Sequence, residues 1–320
     1  MNPILERIYR IGVVPVVSID DAAKAVPLAR ALVAGGLPVA EITFRTAAAE
    51  DAIRAVSREV PGLLLGAGTV LTRAQADRAL DAGAGFIVSP GFNPDTVGHV
   101  LSRGAVMLPG TATPGEMEQA MALGLEAVKF FPAEQNGGVE KLRALAGPYR
   151  SLMWMPTGGV GPQNLGDYLS FPQTLACGGT WMVKKELIAG ERWAEITALC
   201  HRAVQAVLGL SLHHVGIPCG DADTAAATAR AVGAIFGLPY REGRSSDFAL
   251  PFVECCKAEL PGVRGHIAVG CGSVERAEYH LGLRGARFLE ATRKTGPDGR
   301  TKAIYLDADF CGFAVHLVQE

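Results

Sequence analysis

The sequence predicts an α/β chain: a (β/α)8 barrel followed by a smaller α+β domain of two βαβββ modules. Three observations carry this. Eight short apolar runs punctuate the first two thirds of the chain, each nearly continuously apolar, as parallel strands covered on both faces should be. Amphipathic stretches separate the runs, and eight strand–helix units in about 210 residues is the arithmetic of a barrel. A doubly wound sheet is the competing arrangement, but it seldom has eight regular units. Past residue 210 the pattern changes, and a unit of about 50 residues occurs twice, too few copies for a solenoid.

The predicted strands are "VVPVVSI" (13–19), "VAEITF" (39–44), "LLLGAG" (63–68), "FIVSPG" (86–91), "AVMLPG" (105–110), "AVKFFP" (127–132), "LMWMPTGG" (152–159) and "TLACGGTW" (174–181). Between them, segments such as "TRAQADRALDAGA" and "TPGEMEQAMALG" open on Thr and close on Gly, the punctuation of helices. The C-terminal copies begin "HVGIPCGDADTAAATARAVGAIFGL" at His214 and "HIAVGCGSVERAEYHLGLRGARFL" at His266, and each continues into further strand-like runs. The expected domains are therefore a barrel over 1–209 and a paired βαβββ domain over 210–320.

Composition bounds the function. The chain is 49% hydrophobic and 19% charged with a net charge of -2, which gives no electrostatic reason to expect nucleic acid or an anionic membrane as partner. No apolar run approaches the roughly 20 residues needed to span a bilayer. The start, "MNPILERIYRIG", lacks the uninterrupted apolar core of a signal peptide. Seven cysteines without a CxxC pair argue against a disulfide framework, so a reducing cytoplasm is expected. "GAGTVL" (66–71) carries Leu71 where a dinucleotide fingerprint needs its third glycine, so a nicotinamide cofactor is not expected.

Catalytic residues of such a barrel sit at the C-terminal ends of its strands. The polar residues there are Glu41, Arg45, Thr69, Ser89, Lys129, Thr157 and Thr180, and the topology lets all of them converge on one cavity. Of the lysines before residue 210, only Lys129 lies within a strand. It is either one half of a structural ion pair or an amine kept uncharged by Phe130 and Phe131 for attack on a carbonyl. Glu41, the only acidic residue within a strand core, is either the proton shuttle of that chemistry or a counter-ion to Arg45. Arg45 can clamp a substrate carboxylate bidentately. The glycines of "MPTGG" and "CGGTW" let backbone N–H groups approach an oxyanion at adjacent strand ends.

"EITFRT", "GAGTVL", "SPG", "KFFPAE", "PTGGV" and "GGTW", in this order, resemble the class I 2-keto-3-deoxy-6-phosphogluconate (KDPG) aldolases, which include 4-hydroxy-2-oxoglutarate aldolases. The resemblance covers residues 1 to about 208. It implies an imine between Lys129 and pyruvate, proton transfer by Glu41, and a keto acid held by Arg45, Thr69 and Pro90 with Phe131 lining the site. It further implies a phosphate site built from Gly158, Gly159 and the Thr180 hydroxyl, with Thr157 and Gly179 in the same strand ends. Thr180 replaces the more usual Ser; the hydroxyl survives, and the added methyl either shifts phosphate affinity or favours an unphosphorylated substrate. No cofactor is implied, the substrate is a small keto acid, its stereochemistry stays open to the galactonate epimer, and the assembly implied is a homotrimer or higher oligomer.

In the C-terminal third, His214 and His266 open the two modules, while Glu254 and His316 fall in their last strands. Three imidazoles and a carboxylate suit a first-row divalent metal with open positions. "HHVGI", "GHIAV" and "FAVHLVQ" resemble the vicinal-oxygen-chelate (glyoxalase-like) fold, which implies metal binding at those four residues. The domain is then either a metal-dependent isomerase or lyase acting on a related keto acid, or a non-enzymatic oligomerisation or ligand-sensing module. His99, His201, His213 and His280 are expected to be partly exposed bystanders, and Cys219 and Cys271 buried packing residues.

Overall fold

A computed structural model describes residues 1–258 and 260–320. The chain forms two compact units, Met1–Val207 and Leu208–Glu320.

In the first unit, β1 (Val13–Val17), β2 (Val39–Thr43), β3 (Leu64–Gly68), β4 (Phe86–Val88), β5 (Val106–Leu108), β6 (Gly110–Thr111), β7 (Ala127–Phe130), β8 (Met153–Pro156) and β9 (Cys177–Gly179) fall within or overlap the eight apolar runs. The run at 105–110 yields two strands, because Pro109 interrupts the ladder between β5 and β6. One parallel half-barrel has the order β5-β4-β3-β2-β1-β9, and a three-stranded parallel sheet has the order β6-β7-β8. Parallel bridges pair Thr157 with Gly178 and Trp154 with Thr174. Helices return the chain between strands, and their punctuation is the one the sequence announces. Thr72 caps Arg73–Asp81 by accepting from the Gln75 N–H, and the Glu116 carboxylate accepts from the Thr113 N–H at the start of Pro114–Ala122. Such caps each contribute about 1 kcal/mol. Both helices run out into glycines with positive φ, Gly83 and Gly124. Ile8, Leu32, Ile53, Phe86, Ile87 and Trp154 are fully buried.

The second unit is one mixed sheet of eight strands: β10 (Ser211–Pro218), β11 (Tyr240–Glu242), β12 (Ser246–Ala249), β13 (Val253–Cys256), β14 (His266–Cys271), β15 (Lys294–Thr295), β16 (Thr301–Tyr305) and β17 (Ala314–Gln319). Each copy of the repeat supplies a strand, a helix and three more strands, the helices being Ala222–Phe236 and Val274–Gly282. The order β11-β12-β13-β10-β14-β17-β16-β15 joins the copies through antiparallel pairing of their first strands, β10 and β14. Ala225, Ala229 and Cys255 form a small core between the first helix and the sheet. The alanines allow that helix to approach closely, and the opposite face of β13 is left for other work.

Candidate functional site

Strand alternation decides what enters the first unit's cavity. From β7, Lys129 turns inward and is 5% exposed, while Phe130 turns outward to the helix Gly138–Ala146, with the Lys141 amine 5.8 Å from its ring centre. The apolar neighbour of the Lys129 amine is Phe131 alone of the expected pair, its ring centre 5.1 Å from Nζ. Glu41, fully buried in β2, places Oε1 3.5 Å from Lys129 Nζ. The carboxylate therefore pairs with Lys129, not with Arg45. Neither of its oxygens accepts a hydrogen bond from any of the described residues. A buried carboxylate with free lone pairs is destabilising unless it serves the cavity it faces.

The space for that carboxylate comes from Gly68 in the neighbouring strand. A Cβ there would lie 2.0 Å from Glu41 Oε1. Thr69, the next residue, has φ +57°, a conformation β-branched residues rarely adopt, so strain is held at the cavity wall.

Glu41, Arg45, Thr69, Pro90, Lys129, Phe131, Thr157, Gly158, Gly159, Gly179 and Thr180 all line one cavity of about 280 Å³, together with Val16, Val160 and Gly178. Lys129 and Glu41 are buried; Arg45 and Thr180 are exposed. Ser89 is not brought in: its hydroxyl donates to the Gly91 carbonyl at 2.7 Å. Two supporting residues escaped the sequence reading. Glu134 fills the space a Cβ at Gly159 would need, with its Cγ 2.4 Å from that position. Its N–H donates to the Gly158 carbonyl at 3.1 Å, and its carboxylate accepts from the hydroxyl of buried Tyr168. Burial first, and Glu134 second, push the Tyr168 hydroxyl well above its usual range, so it stays a donor. The "PAE" of "KFFPAE" was the available signal, but nothing in a lone sequence says the glutamate braces a loop.

In the second unit, ladder register assembles the histidines. Glu254, Gly216 and His266 lie side by side on β13, β10 and β14, and His214, Ala268 and His316 on β10, β14 and β17. The two rows share one face, with small residues on the central strands making room for the rings. A Cβ at Gly216 would lie 2.0 Å from the His266 ring. Glu254 Oε2 is 2.8 Å from His214 Nε2 and 3.2 Å from His266 Nε2. One donor atom from each of His214, His266 and His316 lies within 4.8 Å of the others. Burial raises the Glu254 carboxyl, but hydrogen bonds from His214, His266 and Ser246 outweigh it and hold the group well below the usual range. Burial, and then His266, push the His316 imidazole down to about 4, leaving it neutral. Its Nδ1 faces the Leu317 carbonyl at 3.2 Å, which frees Nε2. His266 Nδ1 is buried with no partner.

The bystanders sort differently from expectation. His213 is exposed, yet its Nδ1 is 2.7 Å from His214 Nδ1 and orients that ring. His280 is buried, not partly exposed, and Cys219 is only half-buried.

A parallel α/β fold with a buried lysine–carboxylate pair opening onto a cavity suits a lyase that works through a lysine imine. The family described as KDPG and KHG aldolase matches residues 4–199, and the chain belongs to that family. It is 48% identical over 207 residues to the 2-dehydro-3-deoxy-phosphogluconate aldolase of Treponema pallidum, covering 65% of this chain and 99% of that protein. A crystal structure of the 2-keto-3-deoxy-6-phosphogluconate aldolase of Zymomonas mobilis with 3-phosphoglycerate is similar at TM-score 0.59 and 43% identity, covering 62% of this chain and 94% of its own. The KDPG aldolase of Legionella pneumophila, solved with pyruvate as a covalent carbinolamine intermediate, is similar at TM-score 0.60 and 35% identity over 62% of this chain and 96% of its own.

Proposed function

We propose that the chain is a class I aldolase that cleaves 2-dehydro-3-deoxy-6-phosphogluconate, or 4-hydroxy-2-oxoglutarate, to pyruvate and an aldehyde. The observation that carries this is the buried Lys129–Glu41 pair, whose carboxylate accepts no hydrogen bond among the described residues and opens onto a cavity rimmed by Arg45 and paired glycines. The Lys129 ammonium passes a proton to Glu41, the freed amine attacks the C2 carbonyl, and Glu41 returns the proton to the hydroxyl that leaves as water, giving the protonated imine. Glu41 takes the proton of the C4 hydroxyl as the C3–C4 bond breaks, and its electrons pass into the imine to leave an enamine. Protonation at C3 and hydrolysis release pyruvate. Arg45, Thr69 and Pro90 hold the keto acid end and Phe131 excludes water. Thr157, Gly158, Gly159, Gly179 and Thr180 receive the far end, where a phosphate would meet backbone N–H groups. No metal or cofactor takes part. Pyruvate release from the gluconate-derived, galactonate-derived and unphosphorylated keto acids, each with and without chelator, tests this; loss of activity to chelator in all three would contradict it.

We read the two parallel sheets as one closed (β/α)8 barrel over 1–209, a reading supported by the Thr157–Gly178 bridge and the single residue between β5 and β6. Family membership supports a homotrimer or higher oligomer. We place the protein in the cytoplasm, where its seven free thiols would stay reduced. Over 210–320 we propose a glyoxalase-like domain that holds a divalent metal on His214, His266, His316 and Glu254. His266 Nε2, 3.2 Å from both Glu254 Oε2 and His214 Nε2, and the neutral His316 support the fit, and a metal there would polarise substrate oxygens as a Lewis acid. Metal content of the whole protein after dialysis, compared with His214→Ala, tests it; equal and negligible content would leave an oligomerisation or ligand-sensing role.

A further inference from the structure

The sheet face that carries the histidines holds a fifth donor. Cys256 lies two residues beyond Glu254 on β13, so alternation puts its thiol on the carboxylate's side of the sheet. Cys255, between them, packs instead into the alanine core beneath the helix. One donor atom each from Glu254, Cys256 and His266 lies within 4.8 Å of the others, and His266 also belongs to the cluster of three histidines. Cys256 is 1% exposed. A buried cysteine is ordinarily a small packing residue among apolar side chains. This one faces a carboxylate, an imidazole with an orphaned nitrogen, and the buried hydroxyl of Ser246, which stands opposite it across the β12–β13 ladder.

We propose that Cys256 joins Glu254 and His266 as a thiolate ligand of the divalent metal, on the side of that row away from His214 and His316, an inference that rests on the proposed metal site. Two physical arguments favour it. A dication ligated by one carboxylate and one thiolate is neutral overall, and a neutral site is far less costly to bury than a charged one. Binding exchanges the S–H bond for a metal–sulfur bond and releases one proton to solvent. Thiolate together with imidazole also selects Zn²⁺ or Co²⁺ over Mg²⁺ and Mn²⁺, which prefer oxygen. The two units would then divide their chemistry cleanly, with a metal-free lysine site in one and a soft-metal site in the other.

Cobalt substitution tests this with a readout independent of activity. The full-length protein is stripped with chelator, dialysed and titrated with Co²⁺ under reducing, anaerobic conditions. The expected spectrum has visible ligand-field bands of bound cobalt and a near-ultraviolet sulfur-to-cobalt charge-transfer band. Cys256→Ser should abolish the charge-transfer band and keep the visible bands, while Cys219→Ser should keep both. Visible bands without a charge-transfer band in the unmodified protein would overturn the thiolate assignment and leave the histidine–glutamate site standing, whatever the fate of the variant. A charge-transfer band that persists in Cys256→Ser would overturn it as well. Absence of every bound-cobalt band would overturn the metal reading itself.

Discussion

Lys129 and Glu41 are each expensive to bury alone, on the order of several kcal/mol per unpaired ion. Together, 3.5 Å apart, they offset one another, and the carboxylate's unused lone pairs are left for the substrate. Two single changes separate their roles. Glu41→Gln keeps the amine in place, so imine formation should survive while kcat for cleavage falls by about 10²–10⁴-fold, the usual range for a positioned acid–base group. Stopped-flow imine formation beside steady-state pyruvate release measures both; equal loss in the two would contradict the division of labour. Tyr168→Phe removes the donor that holds Glu134 against the Gly158–Gly159 loop. It should raise KM for the phosphorylated substrate about tenfold with kcat little changed, and equal effects on an unphosphorylated keto acid would contradict that role. The buried placement of Lys129 and Glu41 at the cavity was legible because a charge inside an apolar strand has few reasons to be there. Glu134 and Cys256 were not, because an acid in loop text and a cysteine in an apolar run each have an ordinary explanation that only neighbours in space displace. The outward turn of Phe130 was readable from alternation, but adjacency in sequence suggested that it flanked the amine.

Among the elements, β3 presents a glycine where the neighbouring strand presents Glu41, and its exchange should be local in effect. Gly68→Ala forces a Cβ to within 2.0 Å of Oε1, so the carboxylate must swing away from Lys129. A displacement of about 1 Å can lower activity by about 10²-fold, and circular dichroism should show the fold retained; unchanged kcat would contradict the close approach. The helix Trp193–Leu208 makes a separate prediction through Cys200, a fully buried thiol that burial pushes from 9.0 up to about 12. The folded state keeps this proton where the unfolded chain has lost it, so stability should fall as pH rises from about 9 to about 12. Melting temperature against pH should be flatter across that window in Cys200→Ala; an identical slope would remove Cys200 as the cause. The strands themselves were legible in place, since apolar runs covered on both faces leave little choice, but the runs at 86–91, 152–159 and 174–181 extend well past β4, β8 and β9. The break at Pro109, which splits one expected strand in two, shows how a single missing N–H redraws a ladder that hydropathy alone treats as continuous.

At the scale of the whole molecule, the chain carries a unit that matches the aldolase family over residues 4–199 and a second sheet built on a duplicated pattern. The match to the Treponema pallidum aldolase spans 207 residues of this chain and 99% of that protein. A chain ending at residue 209 should therefore keep kcat within about twofold, with chelator sensitivity absent in both forms; a collapse of activity on truncation would make the second unit part of the aldolase. The duplication was legible from repeated His and Cys-Gly positions, and the side-by-side placement of His214, His266, Glu254 and His316 follows from the pairing of the two first strands. What the repeat could not reveal was which side each strand shows to that face, because sheet register is set by long-range pairing. One lysine, Lys129, is proposed to form the imine. Incubation with pyruvate, reduction with borohydride and peptide mass spectrometry should place a pyruvate-derived adduct on Lys129, absent in Lys129→Met and unaffected by chelator. An adduct on Lys184 or Lys185, or none at all, would contradict it.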